Sequence, residues 1–283
     1  MKIRRILALA ITAVMVLAAF ASCGSTDATK DLDNIKSKGQ IVVGMECAYA
    51  PYNWAQTEAN EFTVKVNDTT YADGYDIQIA KMIADDLGVE LVVKPIEWDG
   101  LLSALESGQI DMIIAGMSPT DERKESIDFS DTYFDSNLVM VVKTDSAYKD
   151  ATSISDFSGA KITAQLNTFH YTVIDQIEGV DKQTALPDFA ALMQSLKSGA
   201  VDGYVCEKPG AVSAVASNPE FTYIEFSDAN GFTCDPAESS ISIGVRKNSS
   251  LTSEFNRILG SLTKDQKEAM MDAAIARQPA GEE

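Results

Sequence analysis

The sequence is poor in histidine, tryptophan and cysteine: its 283 residues include one His, two Trp and four Cys. His170 has no Cys or His partner at metal-ligand spacing, which argues against a transition-metal site and leaves no expected cofactor. Cys47, Cys206 and Cys234 are too widely spaced to read as a disulfide framework, and no essential disulfide is expected. Basic residues are also few, 23 Lys and Arg against 42 Asp and Glu, for a formal net charge of −19. Nucleic acid and anionic bilayer surfaces both require basic patches, so neither is expected as a partner. No Gly-rich phosphate loop or nucleophile elbow accompanies Ser118, His170 and the aspartates, and sequence alone assembles no triad from them. Beyond residue 21 no stretch nears the roughly 20 apolar residues that span a bilayer.

The N-terminus carries the one long apolar run. Lys2, Arg4 and Arg5 precede Ile6 to Ala21, broken only by Thr12, and Ala21-Ser22-Cys23 follows. A basic segment, an apolar segment and small residues before a cut describe a secretory signal over residues 1–22. Phe20-Ala21-Ser22-Cys23 is similar to a lipobox, with Phe20 where Leu is usual, so Cys23 is the expected lipidation site. Residues 23–34 then form a polar tether, and the protein is expected lipid-anchored outside the cytoplasmic membrane. Loss of residues 1–22 removes three basic and no acidic residues, taking the net charge from −19 to about −22. Such a field mainly favours solubility and weakly favours cationic small ligands.

The remainder alternates short apolar runs with helical periodicity. Strands are expected at Ile41–Val43, Leu91–Val93, Ile110–Ala115, Leu138–Val142, Lys161–Ala164 and Gly203–Cys206. Helices are expected at Tyr75–Leu87, Trp98–Glu106 and Phe189–Leu196. This alternation predicts an α/β fold with parallel pairing. Glu58–Ala72 lacks a period and reads as an inserted loop or hairpin. Trp98 to Asp111 (WDGLLSALESGQID) and Phe189 to Asp202 (FAALMQSLKSGAVD) match at an aromatic, two leucines, Ser-Gly, an aliphatic and Asp. Any helix–Gly–strand unit could look so. The sharper reading is two lobes of matching architecture, whose ligand site lies beyond Ala115 and Cys206 at strand carboxyl ends.

Between Ile113 and Ser130, Ser118 suits an N-cap, Pro119 the first helical position, and Asp121 and Glu122 the first turn. Arg123, one turn in, adds a guanidinium fork suited to one carboxylate.

GMSPTDERKESIDFS resembles the signature of the polar and basic amino-acid-binding proteins of ABC importers, the extracellular solute-binding proteins of family 3. So do Val43-Gly44-Met45-Glu46, Tyr49-Ala50-Pro51-Tyr52, Gly74-Tyr75-Asp76, Trp98 with Leu101 and Leu102, and Ser107 to Asp111. The similarity runs from about Ile35 to Pro279. It implies a two-lobed type II periplasmic-binding-protein fold, each lobe a mixed sheet flanked by helices, with two crossover hinge strands. Lobe one would take residues 35–135 with 241–283, lobe two 136–240, with crossings near Phe134–Asn137 and Ser239–Ser242.

The resemblance also implies a ligand site and no catalysis. Arg123 matches the arginine on the ligand α-carboxylate, with Ala115, Gly116, Met117 and Ser118 as the backbone beside it. Gln165, Asn167 and Thr168 match the segment closing on that carboxylate, Asn167 replacing the usual Gly but tolerating a left-handed backbone. Glu207 stands where an Asp usually holds the α-ammonium. Tyr49, Tyr52 and Trp98 match aromatic walls, and Glu46 and Asp76 polar or acidic pocket positions. The implied function is capture of a free L-amino acid, with a lean toward arginine or lysine, by a monomer that delivers it to an ABC permease. Glutamine or another polar amino acid is the alternative ligand. A sensing module and a cyclohexadienyl dehydratase-like enzyme are the alternative classes.

Overall fold

The computed structural model describes residues 27–236 and 239–279. The signal over residues 1–22 and Cys23 lie outside the described residues.

Two five-stranded sheets organise the chain. The first runs Glu90–Pro95, Gln40–Met45, Met112–Ile113, Ser240–Arg246, Ile127–Asp135. Gln40–Met45 pairs in parallel with both neighbours, and Ser240–Arg246 runs antiparallel to its own. The second runs Asp181–Lys182, Lys161–Thr163, Gly203–Glu207, Leu138–Lys143, Phe221–Glu225. It repeats the scheme: Lys161–Thr163 is parallel to both neighbours, and Leu138–Lys143 is antiparallel to its own. A four-stranded antiparallel sheet, Ala48–Tyr49, Asn53–Gln56, Tyr71–Asp73 and Val64–Lys65, fills the segment read as an insertion.

The two lobes match in detail where the sequence repeat predicts it. Leu101–Glu106 and Phe189–Ser198 are the helices that precede the third strand of each large sheet. At the end of each repeat an aspartate ties its strand to a neighbour. Asp111 donates its N–H to the Val42 carbonyl (2.8 Å), and its Oδ2 accepts from the Val42 N–H (2.9 Å). Asp202 does the same with Lys161, both at 2.8 Å. The repeat therefore encodes a shared strand register, which a generic helix–Gly–strand unit would not require.

The first sheet buries Ile41, Val43 and Met45 against Ile77, Ala80, Ile83 and Leu87 of the helix Tyr75–Leu87. These side chains recur at helical spacing, and Gly88 in the left-handed region (φ 69°) ends the helix. In the second lobe Met140, Val142, Ile162 and Val205 pack on Phe157, Phe169 and Ile174. No helix among the described residues is long and apolar enough to cross a membrane.

Several elements depart from expectation. The tether gives way to structure before residue 34: Ala28–Lys30 is a 3-10 turn and Asp31–Lys38 an α-helix. Asp31, 1% exposed, explains this, because it accepts from Arg246 Nη2 (2.8 Å), Arg246 Nε (3.2 Å) and Ser249 Oγ (2.7 Å). The strand expected over 110–115 shrinks to Met112–Ile113, since the Gln109 and Ile110 N–H groups still bond the Ala104 carbonyl of the preceding helix. Trp98–Glu106 divides into a 3-10 turn, Trp98–Gly100, and an α-helix, Leu101–Glu106.

The chain passes between the sheets at Ser136-Asn137, between the strands Ile127–Asp135 and Leu138–Lys143. A second passage lies just before Ser240, where Ser240 and Ile241 pair with Asp135 and Phe134 and the Ser136 N–H bonds the Ser239 carbonyl (3.1 Å).

Candidate functional site

The carboxyl ends of the strands Met112–Ile113 and Gly203–Glu207 face one cleft. Its walls are Tyr49, Trp98, Ala115, Gly116, Ser118 and Arg123 from one lobe, and Gln165, Thr168, Phe169, His170 and Glu207 from the other. They leave a cavity of about 10 Å³, room for about one water-sized sphere, so the cleft is closed on itself.

Arg123 enters from the short helix Asp121–Ser126. The N-cap of that helix is Thr120, whose hydroxyl accepts from the Arg123 N–H (3.4 Å), and not Ser118 as the sequence suggested; Pro119 accordingly precedes the helix. The reason is the guanidinium: Arg123 Nη1 donates to the Ser118 carbonyl (2.8 Å), which holds residues 118–119 outside the helical path. Nη2 donates across the cleft to the Asn167 carbonyl (3.0 Å), and the Arg123 guanidinium lies 5.0 Å from the Trp98 ring centroid. Burial lowers the Arg123 pKa to about 10, with Glu122 and Glu207 opposing that shift, so the side chain stays cationic at neutral pH.

Asn167 adopts the left-handed backbone that its type tolerates, with φ 56°. Its side chain donates to Asp99 (2.8 Å), and its carbonyl also accepts from Trp98 Nε1 (3.4 Å). Gly116 is likewise left-handed, φ 60°, and a Cβ there would sit 2.9 Å from the Tyr49 ring. That close approach requires glycine.

Glu207, 2% exposed, ends its strand and caps the helix Lys208–Ser217. Its carboxylate accepts the hydroxyl of Tyr49 from the opposite lobe, and its Oε1 lies 2.9 Å from His170 Nε2. Burial raises the pKa of Glu207. The charge and hydrogen bond of His170, with the Tyr49 hydroxyl, outweigh it and hold the carboxyl below its ordinary range. The cleft thus carries a buried cation and a buried anion on opposite lobes. Tyr49 stacks on Phe189 with centroids 4.0 Å apart.

Other sequence-predicted residues stand behind the walls. Glu46 is half-buried; its Oε1 accepts from Gln165 Nε2 (3.1 Å), while Oε2 is buried without a partner. Burial pushes its carboxyl up to about 8 against that hydrogen bond, with Asp188, Glu97 and Asp99 adding to the rise. Tyr52 backs Tyr49 at 4.8 Å, and Met117 is buried with its carbonyl accepting from the Ser242 N–H (3.0 Å). Asp76 lies in the interior of lobe one instead of on the cleft wall, accepting from Asn53 Nδ2 (2.9 Å) and the Tyr133 hydroxyl (2.8 Å). Burial raises its carboxyl to about 6 despite those bonds and the Gly116 N–H. A helix start that must satisfy an inserted hairpin on one side and a crossover strand on the other leaves no room for a ligand there.

Sequence reading missed Phe169, Phe189 and the part played by His170. The usable signal was Thr168: a helix beginning there carries Phe169 and His170 in its first turn, and both line the cleft.

The profile of the bacterial extracellular solute-binding proteins, family 3, matches residues 41–273. The chain is 28% identical over 253 residues to the arginine-binding extracellular protein ArtP of Bacillus subtilis, covering 89% of this chain and 90% of that one. It is 30% identical over 211 residues to the L-cystine-binding protein TcyJ of Escherichia coli, covering 74% and 72%. Among solved structures, the amino acid ABC transporter substrate-binding protein AbpA of Streptococcus pneumoniae, bound to L-arginine, superposes with a TM-score of 0.73 at 28% identity over 86% of this chain and 98% of that one. The doubled sheet topology and the cleft between the lobes agree with that match along nearly the whole folded chain, which belongs to the bacterial extracellular solute-binding proteins, family 3.

Proposed function

We propose that the protein captures a free L-amino acid between its lobes and presents the closed form to an ABC permease, acting as a monomer held to the membrane by a lipid on Cys23. The observation that carries this reading is the pairing of Arg123 and Glu207 in one buried cleft, one from each lobe. A zwitterion needs a cation for its carboxylate and an anion for its ammonium, and an unpaired buried charge costs several kcal/mol. Only closure of lobe one (35–135 with 241–283) on lobe two (136–240) brings both groups to one ligand. Such a shift from mostly open to mostly closed takes about 5 kcal/mol of differential binding, within the roughly 8 to 12 kcal/mol of micromolar to nanomolar capture.

For the side chain the reading leans to arginine or lysine. Glu46 Oε2 is a buried acceptor without a partner beside Gln165, and a guanidinium or ammonium reaching it would satisfy and ionise it together. ArtP and AbpA support the lean; TcyJ shows that the family serves other side chains.

The site reads as non-catalytic. Ser118 and His170 share the cleft wall, yet the imidazole faces Glu207, and no hydrogen bond among the described residues joins it to Ser118.

The test is thermal unfolding against the twenty amino acids, ornithine and citrulline. A ligand specific to the folded state stabilises by about 2.7 kcal/mol at a hundredfold excess over Kd. A shift confined to arginine, lysine or ornithine supports the full reading. A shift with glutamine alone keeps the class and removes the lean, and no shift at all overturns the amino-acid reading.

A further inference from the structure

Glu207 already faces a basic side chain of the protein's own. His170 Nε2 stands 2.9 Å from Glu207 Oε1, and the two side chains are 5% and 3% exposed. His170 also lines the ligand cleft. Both ring nitrogens are buried and neither makes a well-aligned hydrogen bond, Nε2 having only Glu207 Oε1 beside it, so no neutral donor–acceptor pattern fixes the ring. We infer that His170 is a resident counter-ion of Glu207 which the ligand's α-ammonium replaces, so that capture of an amino acid expels one proton from the cleft. This rests on the proposal that Glu207 receives an α-ammonium.

The charge balance requires the exchange. Around His170 the other titratable groups are Glu207 and Cys206 on the strand Gly203–Glu207, and Tyr49 and Arg123 from the opposite lobe. Asp175, on the turn that follows, is paired with Lys182 at 2.8 Å. Among the described residues that line the cleft, Glu207 is thus the one anion that faces the ring, and Arg123 repels it. Placing an ammonium on Glu207 while the imidazolium stays would set two cations on one buried carboxylate, and like charges at that range disfavour each other strongly. The imidazolium is the partner that yields first, because it is ordinarily a stronger acid than an α-ammonium. The imidazolium loses its N–H proton to solvent, the neutral ring remains against the carboxylate, and the ammonium supplies the charge removed. The exchange makes His170 a determinant of affinity that acts on every ligand's backbone end, independent of its side chain.

His170 is the chain's only histidine, so in untagged protein its imidazole gives a single set of proton resonances. The experiment follows those resonances by NMR from pH 5 to 8, without ligand and with saturating L-arginine, and repeats it with L-glutamine. Calorimetric Kd values are measured in parallel on the Glu46→Gln protein, so that titration of Glu46 does not contribute. The expected result is an imidazolium that turns neutral on addition of ligand. On the acid side Kd should rise about tenfold for each unit that pH falls, as release of one proton on binding dictates, and His170→Gln should abolish that slope. Resonances unchanged by bound ligand, or a Kd independent of pH, would overturn the exchange while leaving the amino-acid reading intact. If neither amino acid bound at any pH, both would fall. The wild-type spectra decide the matter even if His170→Gln does not fold.

Discussion

The Tyr49 hydroxyl on one lobe hydrogen-bonds the Glu207 carboxylate on the other, so the anion of the ligand cleft is also a clasp between the lobes. Arg123 mirrors it, reaching across to the Asn167 carbonyl. The groups that would receive a zwitterion are the ones that hold the cleft shut.

Glu207→Gln and Arg123→Ala should therefore each weaken amino-acid binding by about 3 kcal/mol or more, beyond a hundredfold in Kd, since each leaves a buried charge unpaired. Arg123→Lys should also weaken it, because a lysine ammonium cannot reproduce the guanidinium fork on a carboxylate and on Ser118 and Asn167 together. Calorimetric titration checks all three; a Kd within threefold of wild type for any would remove that residue from the ligand contact.

Glu46→Gln should weaken arginine binding by far more than glutamine binding; equal losses would end the lean toward a cation. The same variant has a signature without ligand. The carboxyl of Glu46 is raised to about 8 from 4.5, chiefly by burial. The folded state thus binds the extra proton, and the associated stability is present below about pH 4.5 and lost as pH rises through about 8. Each unit corresponds to about 1.4 kcal/mol before solvent screening, so Glu46→Gln should overtake wild type in denaturant midpoint between pH 5 and 9. Parallel pH profiles for the two proteins would contradict this.

Asp76→Ala tests the displacement of that residue from the ligand cleft. Loss of a buried acceptor for Asn53 and Tyr133 should destabilise the fold by about 2–4 kcal/mol while the rank order of bound amino acids stays the same. A changed rank order would put Asp76 back among the ligand contacts.

The ion pair of Asp31 and Arg246 yields a prediction about the N-terminal boundary. Asp31→Ala leaves the buried Arg246 guanidinium only the longer pairing with Asp111 at 3.5 Å and should lower unfolding stability by about 3 kcal/mol. Truncation before residue 27 should leave stability unchanged by the same chemical denaturation assay, whereas truncation through Asp31 should not.

Much of this was legible in the sequence because periodicity reports burial. The helix Tyr75–Leu87 and the strands at Gln40, Glu90, Leu138 and Gly203 follow from apolar spacing alone. Arg123 was legible as a charge that the structural role of its segment did not require, and Glu207 through the family resemblance. What escaped were choices between equivalent local signals. Ser118 and Thr120 are both good caps, and only the demand of Arg123 on the Ser118 carbonyl selects Thr120. Asp76 and Glu46 are both acids beside aromatic residues; that Glu46 bonds Gln165 of the cleft wall while Asp76 bonds Asn53 depends on long-range packing that no short-range pattern encodes. Phe189 reads as a helix's first core residue, and its stacking on Tyr49 arises only between lobes.

The C-terminal helix Lys264–Arg277 packs on both Tyr75–Leu87 and Lys208–Ser217, and its Arg277 pairs with buried Asp73 at 3.0 Å. The next residue, Gln278, exchanges hydrogen bonds with Ser213 of lobe two, at 2.5 and 3.2 Å. The chain thus has, besides its two crossings, a third tie between the two sheets' surroundings. Under the proposed closure, a change in that tie should retune every ligand by one common factor, because apparent affinity scales with the fraction of molecules already competent to bind. Sensitivity and selectivity would then be separable properties of this chain, governed by residues that never meet.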